Sequence, residues 1–280
     1  MASMDDWKGD LGRTWGEYTT ILDVMLSPFG DAAEEQLGDI TGQTVLDLGC
    51  GGGESTVKLA KAVGKDGVAI GVDVSADLIE LAEGQRKAAG ADNMALLCAD
   101  ASKLTLGEPA DALYSRFGAM FFDAPIDAYA RIRSQMKPGA KASIICWRGF
   151  KENTWAFAPF IAAAPFLPET KPMRPGAPGP FAWAKPEESA IPYLEKSGWS
   201  NIRTRPIDHE IIMGAGIEGD PVDAALRFAL TIGPLSSRME GMTSEQKAKI
   251  RDAVKAGLEK HLIDGAVRVN GACWLVTATA

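Results

Sequence analysis

Short apolar runs alternate with segments of helical periodicity over the first half of the chain. Each run is bounded by glycine, proline or acidic residues, a pattern that is typical of buried strands. The predicted strands are 45–48, 67–73, 94–99, 110–118 with its exit loop, and 142–147. Apolar residues at helical spacing predict helices between them, at 55–62, 76–89 and 126–136. This alternation predicts an α/β fold, a doubly wound sheet with helices on both faces.

The two ends of the chain extend this pattern. Before the first strand, apolar residues at helical spacing predict two short helices, at about Leu11–Met25 and Pro28–Leu37. The elements predicted near the carboxyl end are helix 190–196, strand 202–213, helices 221–232 and 244–262, and strand 266–279. We therefore expect seven strands in a mostly parallel sheet.

Residues 148–192 interrupt the alternation. Prolines and aromatic residues are interleaved throughout this segment. Proline stops long helices but restricts the conformations of a defined loop, and aromatic side chains in a surface loop need a packing or binding reason. The segment is predicted to be a lid over an apolar substrate pocket. A second small core or a dimer contact is the other interpretation.

The first strand runs into a glycine-rich turn and then directly into a helix. Gly49, Gly51 and Gly53 leave the backbone free to turn sharply and a ligand free to lie against it. The dinucleotide-binding fingerprint requires a small residue where this chain has Glu54 or Thr56, and no Gly-Lys-Ser/Thr sequence closes the turn as in a P-loop. The turn thus predicts a different ligand site at the carboxyl edge of the sheet.

Acidic residues end three successive strand–helix units. Asp47 precedes the glycine turn, Asp73 ends the second strand, and Asp100 follows the third. The carboxyl ends of neighbouring parallel strands meet at one crevice, so these carboxylates are expected to converge. Asp73 can accept two hydrogen bonds from a ribose diol. It could also cap the helix that begins near Ser75, although Ser75 can supply that cap itself.

The sequence Asp47-x-Gly49-x-Gly51-x-Gly53 resembles motif I of the class I S-adenosylmethionine (SAM)-dependent methyltransferases. The resemblance is specific over residues 45–147 and loose afterwards. It implies a Rossmann-like fold with SAM as the cofactor. It also implies that Asp47 faces the methionine part of SAM and that Gly49 and Gly51 contact the cofactor.

The same resemblance assigns the remaining cofactor contacts. It implies that Asp73 binds the ribose and that Val74 lies beside the adenine. Asp100 would then accept a hydrogen bond from the adenine amino group, with the backbone N–H of Ala101 at the ring. Helices before the first strand lie over the cofactor in this family, which makes Tyr18 a candidate contact. Packing against the core is the alternative role for residues on that stripe.

Residues 115–125 carry a second part of the resemblance. The pattern Ser-Arg-Phe-Gly-x-Met-Phe-Phe followed by Asp-x-Pro is typical of a bacterial subset of small-molecule methyltransferases, similar to the ubiquinone/menaquinone-type methyltransferase domain. It implies that Ser115 contacts the cofactor or the substrate, where the fourth strand ends beside the first. The sequence leaves open whether Arg116 makes such a contact or forms a structural ion pair.

Aromatic residues after the fifth strand are the candidates for binding a methyl acceptor. Trp147, Trp155, Phe181 and Trp183 are predicted to bind it, because aromatic faces orient a substrate and stabilise a cation. His209 is a candidate general base, since its unperturbed pKa is near ~6.5, although a lone histidine on a strand is more often structural. The implied reaction is in-line displacement at the SAM methyl group, which yields S-adenosylhomocysteine and needs no covalent enzyme intermediate.

The composition is that of an ordinary globular protein, with 46% hydrophobic and 24% charged residues. The 280 residues are expected to form one methyltransferase domain. Its predicted parts are cover helices 5–40, a cofactor-binding core 41–147, a lid insertion 148–192 and a carboxyl-terminal part 193–280. A formal net charge of −8 without a basic run argues against a nucleic-acid partner.

The cysteines indicate a reducing compartment. Cys50, Cys98, Cys146 and Cys273 lie in or beside apolar segments, with neither a CxxC pair nor Cys/His metal spacing. We therefore expect buried free thiols, no metal, and a cytoplasmic location. Prolines interrupt the longest apolar stretch, so no membrane span is expected. The sequence leaves a homo-oligomer open.

The expected function is methyl transfer from SAM to a small, partly apolar molecule. The sequence leaves open O-, N-, C- or S-methylation. An NAD-dependent oxidoreductase is one alternative, disfavoured by Glu54 and Thr56 in the glycine turn. A non-catalytic SAM-binding sensor or scaffold subunit is the other.

Overall fold

The computed structural model describes residues 7, 9–169 and 177–280 of the chain. Residues 5, 6 and 8 of the predicted cover and residues 170–176 of the predicted lid lie outside the described residues. The helices are α1 Asp10–Glu17, α2 Thr19–Leu37, α3 Glu54–Val63, α4 Ala76–Ala89, α5 Pro125–Arg133, α6 Thr154–Ala163, α7 Ala190–Lys196, α8 Pro221–Thr231 and α9 Ser244–Glu259. The strands are β1 Thr44–Leu48, β2 Val68–Asp73, β3 Met94–Cys98, β4 Ala110–Arg116, β5 Met136–Trp147, β6 Ser200–Ile212, β7 Leu262–Ile263 and β8 Ala266–Thr279.

The strands form one sheet in the order β3-β2-β1-β4-β5-β8-β6. Strands β1 to β5 are parallel, and β8 runs antiparallel to both β5 and β6. The predicted α/β fold with a mostly parallel sheet is confirmed, and the sheet has eight strands where seven were predicted. The two-residue strand β7, which pairs with β8, includes Leu262, a residue predicted to be helical.

Strand order places the crevice of the sheet beside β1. The chain moves outward from β1 through β2 to β3, and then returns to the other side of β1 with β4 and β5. The loops after β1 and β4 therefore leave the sheet in opposite directions, which opens a crevice at their carboxyl ends. Apolar residues bury β1 and β4 on both faces, as expected for central strands.

The segment before β1 forms a short helix and a long one, and its predicted boundary was wrong. The break lies at Tyr18, whereas Pro28 lies inside α2. Proline removes one helical hydrogen bond, here to the carbonyl of Val24. The Val24 side chain is 60% exposed, so this part of α2 faces solvent, where water can replace the lost donor.

Most of the cysteines are buried, as predicted, but Cys98 is exposed. It ends β3, which is an edge strand of the sheet, so no further strand covers it. No helix in the described part of the chain is both long and apolar enough to span a bilayer.

Ion pairs attach α2 to the carboxyl edge of the sheet. Arg116, at the end of β4, donates to Asp23 on α2 at 2.8 Å and to Glu54 at the start of α3 at 2.7 Å. The Arg116 side chain is only 11% exposed. Burial raises the pKa of Asp23 even though Arg116 opposes that change. The structure therefore gives Arg116 a structural ion-pair role, one of the two that the sequence left open.

Replacing Arg116 by methionine should destabilise the fold. Arg116→Met keeps an apolar stem of similar length but leaves Asp23 and Glu54 without their guanidinium. Breaking a buried pair from one side costs about 3 kcal/mol or more, so we expect the free energy of unfolding in urea to fall by about that amount. The exposed pair Lys249–Glu245 provides the control, and Lys249→Met should cost less than about 1 kcal/mol. Equal losses in the two variants would contradict the role assigned to Arg116.

Candidate functional site

The glycine turn after β1 is built from left-handed backbone conformations. Gly49, Gly51 and Gly53 have φ values of +71°, +54° and +92°. A methyl group added at Gly49 would lie 2.7 Å from Cα of Gly118, so the turn touches the loop after β4 backbone to backbone. A methyl group added at Gly51 would meet no atom within 4 Å. The turn is thus packed on the β4 side and open at Gly51.

Asp47 holds this turn from inside the protein. Its side chain is wholly buried, and Oδ2 accepts hydrogen bonds of 2.7 Å from both Ser55 Oγ and Thr56 Oγ1. Oδ1 is buried without a hydrogen-bond partner. Burial raises the pKa of Asp47 to about 6, although the bonds from Thr56 and Ser55 act in the opposite direction. The residue connects the end of β1 to the first turn of α3 and keeps one acceptor atom unused.

Asp73 connects the end of β2 to the open side of the same turn. Its Oδ2 accepts from the backbone N–H of Gly51 at 3.0 Å, and Oδ1 accepts from the N–H of Ser75 at 2.9 Å. Burial raises the pKa of Asp73 against the effect of these bonds. Ser75 caps α4 through Leu78, so Asp73 is not the capping side chain. A carboxylate has about four acceptor positions, and two remain for a ligand.

Asp100 lies on the next strand outward from Asp73. Its Oδ1 accepts from the N–H and the hydroxyl of Ser102, at 2.9 and 2.6 Å, and Oδ2 lies 3.5 Å from Nζ of Lys103. Ala101, which follows it, is buried. The order β3-β2-β1 brings the three acid-bearing strand ends side by side, and Asp73 bonds directly to the glycine turn.

The junction of α1 and α2 lies on the glycine turn. A methyl group added at Gly52 would lie 2.5 Å from Cγ2 of Thr19. One added at Gly12 would lie 2.5 Å from the Ser75 hydroxyl, so α1 also reaches the start of α4. Tyr18, at the junction, donates to Thr231 on α8 at 3.4 Å. The cofactor contact of Tyr18 stays a prediction.

Ser115 and Val74 differ in their access to the crevice. Ser115 is fully buried, and its hydroxyl donates to the carbonyl of Leu48 at 2.8 Å, which ties β4 to β1. This geometry gives Ser115 a structural role, and its contact with a ligand stays a prediction. Val74 is half-buried beside Asp73, where the sequence expects a ligand ring.

A group of stacked rings lies beside the end of β4. Phe117 lies parallel to Trp147, with ring centres 4.2 Å apart and an interplanar angle of 16°. Phe29 of α2 meets both rings edge-on, and Trp155 lies 5.0 Å from Trp147. We call Phe29, Phe117, Trp147 and Trp155 the ring group. Sequence reasoning missed Phe117 and Phe29, because a pattern of apolar positions does not distinguish core rings from rings at a strand end.

Asn153 fixes Trp155 within the ring group. Its Oδ1 accepts from the indole N–H of Trp155 at 3.2 Å and from the N–H of Ala272 at 2.9 Å. Its amide nitrogen donates to the carbonyl of Ala272 at 3.0 Å. Asn153 is fully buried, so these bonds set the position of an otherwise apolar side chain.

The other predicted acceptor-binding rings are divided between two places. The ring centres of Phe181 and Trp155 lie 6.5 Å apart, so Phe181 extends the ring group. Phe181 also contacts the ring of Phe150. Trp183 is 1% exposed and packs against Tyr129 at 5.5 Å, on the side of α5. The structure brings Trp147, Trp155 and Phe181 together and leaves Trp183 outside that cluster.

His209 lies on β6, the other edge strand of the sheet. It is exposed, and its ring meets Phe29 edge-on at 5.2 Å. The histidine is therefore a neighbour of the ring group. Its role as a general base stays a prediction.

A methyltransferase-domain family model matches residues 45–139, the segment that holds the glycine turn and the three acids. Among curated proteins, aklanonic acid methyltransferase DauC of Streptomyces sp. (strain C5) is 28% identical over 156 residues, 55% of this chain and 66% of that protein. Demethylmenaquinone methyltransferase of Lactococcus lactis subsp. lactis (strain IL1403) is 29% identical over 40% of this chain and 44% of that protein. The chain spans less than two thirds of the length of either relative.

Solved structures share the fold over most of the chain. The YcgJ protein of Bacillus subtilis has a TM-score of 0.57 at 11% identity and covers 89% of this chain and 96% of its own. A SAM-dependent methyltransferase from Aquifex aeolicus has a TM-score of 0.50 at 22% identity and covers 71% of this chain and 93% of its own. These likenesses concern the fold alone.

The buried carboxyl of Asp47 should make stability depend on pH. Its pKa is about 6 in the fold, against an ordinary 3.8. Between those values the folded chain holds a proton that the unfolded chain has lost, so stability falls as pH rises from about 4 to about 6. Relative to Asp47→Asn, the wild type should lose about 3 kcal/mol of unfolding free energy over this window, measured without ligand. A constant difference between the two proteins from pH 4 to 7.5 would contradict the raised pKa.

Three findings agree on what this chain is similar to. The sheet order places β1 beside β4, and Asp73 bonds to a glycine turn at the crevice between those strands. A methyltransferase model matches the residues that build this crevice. Over residues 45–139 the chain is therefore similar to the methyltransferase-domain family, within the fold that the solved structures share.

Proposed function

We propose that this chain transfers the methyl group of SAM to a small, partly apolar acceptor. The observation that carries the proposal is the bond between Asp73 and the N–H of Gly51. It holds a carboxylate with two unused acceptor positions beside the open side of the glycine turn. A ribose diol offers two hydroxyl donors at the spacing that one carboxylate accepts.

The residues at the crevice fit SAM in two further respects. Oδ1 of Asp47 is a buried acceptor without a partner, and such an atom normally has a ligand, ion or water as its donor. Gly51 leaves open space where a side chain would stand. We propose that Asp47, Gly49 and Gly51 hold the methionine part of SAM and Asp73 its ribose. Val74, Asp100 and Ala101 would hold the adenine, with Tyr18 above the cofactor.

When bound, SAM supplies a methyl group on a positively charged sulfur, which leaves as a neutral thioether. The protein then has to hold the acceptor in line, exclude water and avoid competing nucleophiles. Close and oriented placement of two reactants lowers a barrier by about 7–11 kcal/mol in favourable cases. The ring group and Phe181 provide an apolar surface for this purpose at the end of β4 and β5.

The same features favour methyl transfer over the two alternatives. Glu54, where a dinucleotide site needs a small residue, is paired with Arg116, and Thr56 is bonded to Asp47. Both relatives described above are named as methyltransferases. A sensor or scaffold would bind SAM without producing S-adenosylhomocysteine, so turnover distinguishes it from an enzyme.

We also propose the broader setting of the reaction. The acceptor is a small molecule, not a nucleic acid, since the formal net charge is −8. The location is cytoplasmic, and the sequence leaves the oligomeric state open. Residues 148–192 act as the lid, and the described part of this segment contributes Trp155 and Phe181 to one ring cluster.

The experiment is titration of the purified chain with SAM, S-adenosylhomocysteine and NADH, followed by assay of S-adenosylhomocysteine production against a panel of small hydroxylated and amino compounds. We expect SAM and its product to bind, NADH not to bind, and at least one compound to be methylated. Binding of NADH alone would refute the proposal. Binding of SAM without turnover of any acceptor would favour the sensor or scaffold.

Loss of the Asp73 carboxylate should weaken SAM binding. A hydrogen bond to a charged group contributes about 1.5–3 kcal/mol, so Asp73→Ala should raise the dissociation constant about tenfold to a hundredfold. The circular dichroism spectrum should stay unchanged. Asp39→Ala, which removes an exposed carboxylate that accepts from Thr41, is the control and should leave SAM affinity unchanged. Unchanged affinity in Asp73→Ala would refute the ribose assignment.

The lid role can be tested at Trp155. Trp155→Phe removes the indole N–H that Asn153 holds and reduces the ring surface, so the Michaelis constant for the acceptor should rise several-fold. The affinity for SAM should change less than twofold. Trp199→Phe is a matched control, because Trp199 is also a buried tryptophan but its indole N–H donates to the carbonyl of Tyr129 on α5. Equal effects of Trp155→Phe on acceptor and SAM would argue against a substrate lid.

A further inference from the structure

The backbone of Phe117 has an unusual conformation. Its φ is +61°, in the left-handed region that bulky residues rarely adopt. Its N–H donates to the carbonyl of Ile145 at 3.0 Å, so pairing with β5 continues one residue beyond β4. A methyl group added at the next residue, Gly118, would lie 2.8 Å from Cα of Gly49. Phe117, the strained residue, is therefore next to Gly118, where the loop after β4 touches the glycine turn.

The ring of Phe117 is held in one orientation. One face lies flat on Trp147 at 4.2 Å, and Phe29 meets it edge-on at 6.1 Å and 74°. Trp147 is itself fixed by Trp155, which Asn153 holds through its indole N–H. Strained backbone persists where surrounding contacts over-determine it, and such residues cluster at functional sites.

Phe117 also differs from the rest of the ring group in its exposure. Phe29, Trp147 and Trp155 are buried, whereas Phe117 is half-buried. A partly exposed aromatic residue that a rigid stack supports on one face can receive a second flat ring. Offset stacking and edge contacts with another aromatic ring add attraction beyond the area buried.

The ring-to-ring contacts of the ring group include little charge by which to select a ligand. Among the residues that the structure describes, its ring contacts include one titratable side chain, His209 at the edge of Phe29. Arg116, next to Phe117 in sequence, is engaged by Asp23 and Glu54. Selection here depends on shape and ring stacking more than on ion pairing.

We propose that Phe117 is an acceptor-contacting residue, and that its ring selects planar aromatic acceptors by stacking. The inference rests on the proposed function, because a methyl acceptor has to lie beside the glycine turn that is proposed to bind SAM. The left-handed backbone turns the ring onto Trp147, and the rigid stack behind it fixes the plane of the acceptor. Flat, hydroxylated ring compounds fit this site, whereas saturated rings of the same size lose the stacking contact.

The test compares 1-naphthol with its saturated analogue decahydro-1-naphthol, which differ in planarity and aromaticity but share the hydroxyl group. Binding to the full chain is measured by titration calorimetry, with and without saturating S-adenosylhomocysteine. We expect 1-naphthol to bind about fivefold more tightly or better, from the additional ring attraction. Equal affinities of the wild type for the two compounds would overturn the proposal.

Three variants separate stacking from a structural role. Phe117→Leu keeps an apolar side chain without a π face and should reduce the preference for 1-naphthol to less than twofold. Phe117→Tyr keeps the ring and should retain the preference. Phe228→Leu, at a fully buried core position of α8, controls for general loosening and should retain it too. Preference retained in Phe117→Leu, or affinity for both compounds lowered equally, would overturn the proposal.

The two proposals fail separately. SAM affinity is measured on the same variants, and Phe117→Leu should change it less than twofold. A chain that prefers 1-naphthol through Phe117 but does not bind SAM would refute the proposed function alone. A chain that binds SAM and methylates an acceptor without any preference for planar rings would refute the role of Phe117 alone.

Discussion

The hydrogen bond from Gly51 N–H to Asp73 is the interaction on which the site depends. It joins the end of β2 to the turn that follows β1, so two strand ends are fixed relative to each other. A half-buried carboxylate needs donors, and the left-handed turn at Gly51 supplies a backbone N–H that no side chain obstructs. Asp47 holds the same turn from its buried side, where it accepts hydrogen bonds from Ser55 and Thr56. The glycine turn is thus held by one buried acid, Asp47, and one half-buried acid, Asp73.

The proposed acceptor side of the crevice is built from stacked rings. Phe117 and Trp147 leave adjacent strands, β4 and β5, and stack because the strands are paired at that point. Helix α2 then supplies Phe29 to the stack and Asp23 to Arg116, so one helix both covers the rings and is anchored beside them. The contact of Gly118 with Gly49 brings the polar and aromatic sides together. In the proposed function, this geometry lets one sheet edge hold both the charged cofactor and an apolar acceptor.

Local patterns were sufficient to predict most of the fold and the positions of the glycine turn and of the acids at the strand ends. Strands with apolar residues on both faces, a glycine turn and acids at strand ends are features that sequence spacing records directly. Long-range packing decided the rest. Proline inside α2 is tolerated because that turn faces solvent. The left-handed φ of Phe117 depends on contacts with β5 and Trp147. Trp183 packs against Tyr129 on α5. Asn153, which holds Trp155, also bonds to Ala272, and these two residues are more than a hundred positions apart.

The most direct test of the central claim is a crystal structure of the chain with S-adenosylhomocysteine. The account predicts that both ribose hydroxyls lie within hydrogen-bonding distance of Asp73 while Gly51 N–H still donates to that carboxylate. The adenine should then lie between Val74 and Asp100, and the sulfur should face Phe117. Electron density for the ligand at another place, or a ribose with no contact to Asp73, would contradict the account.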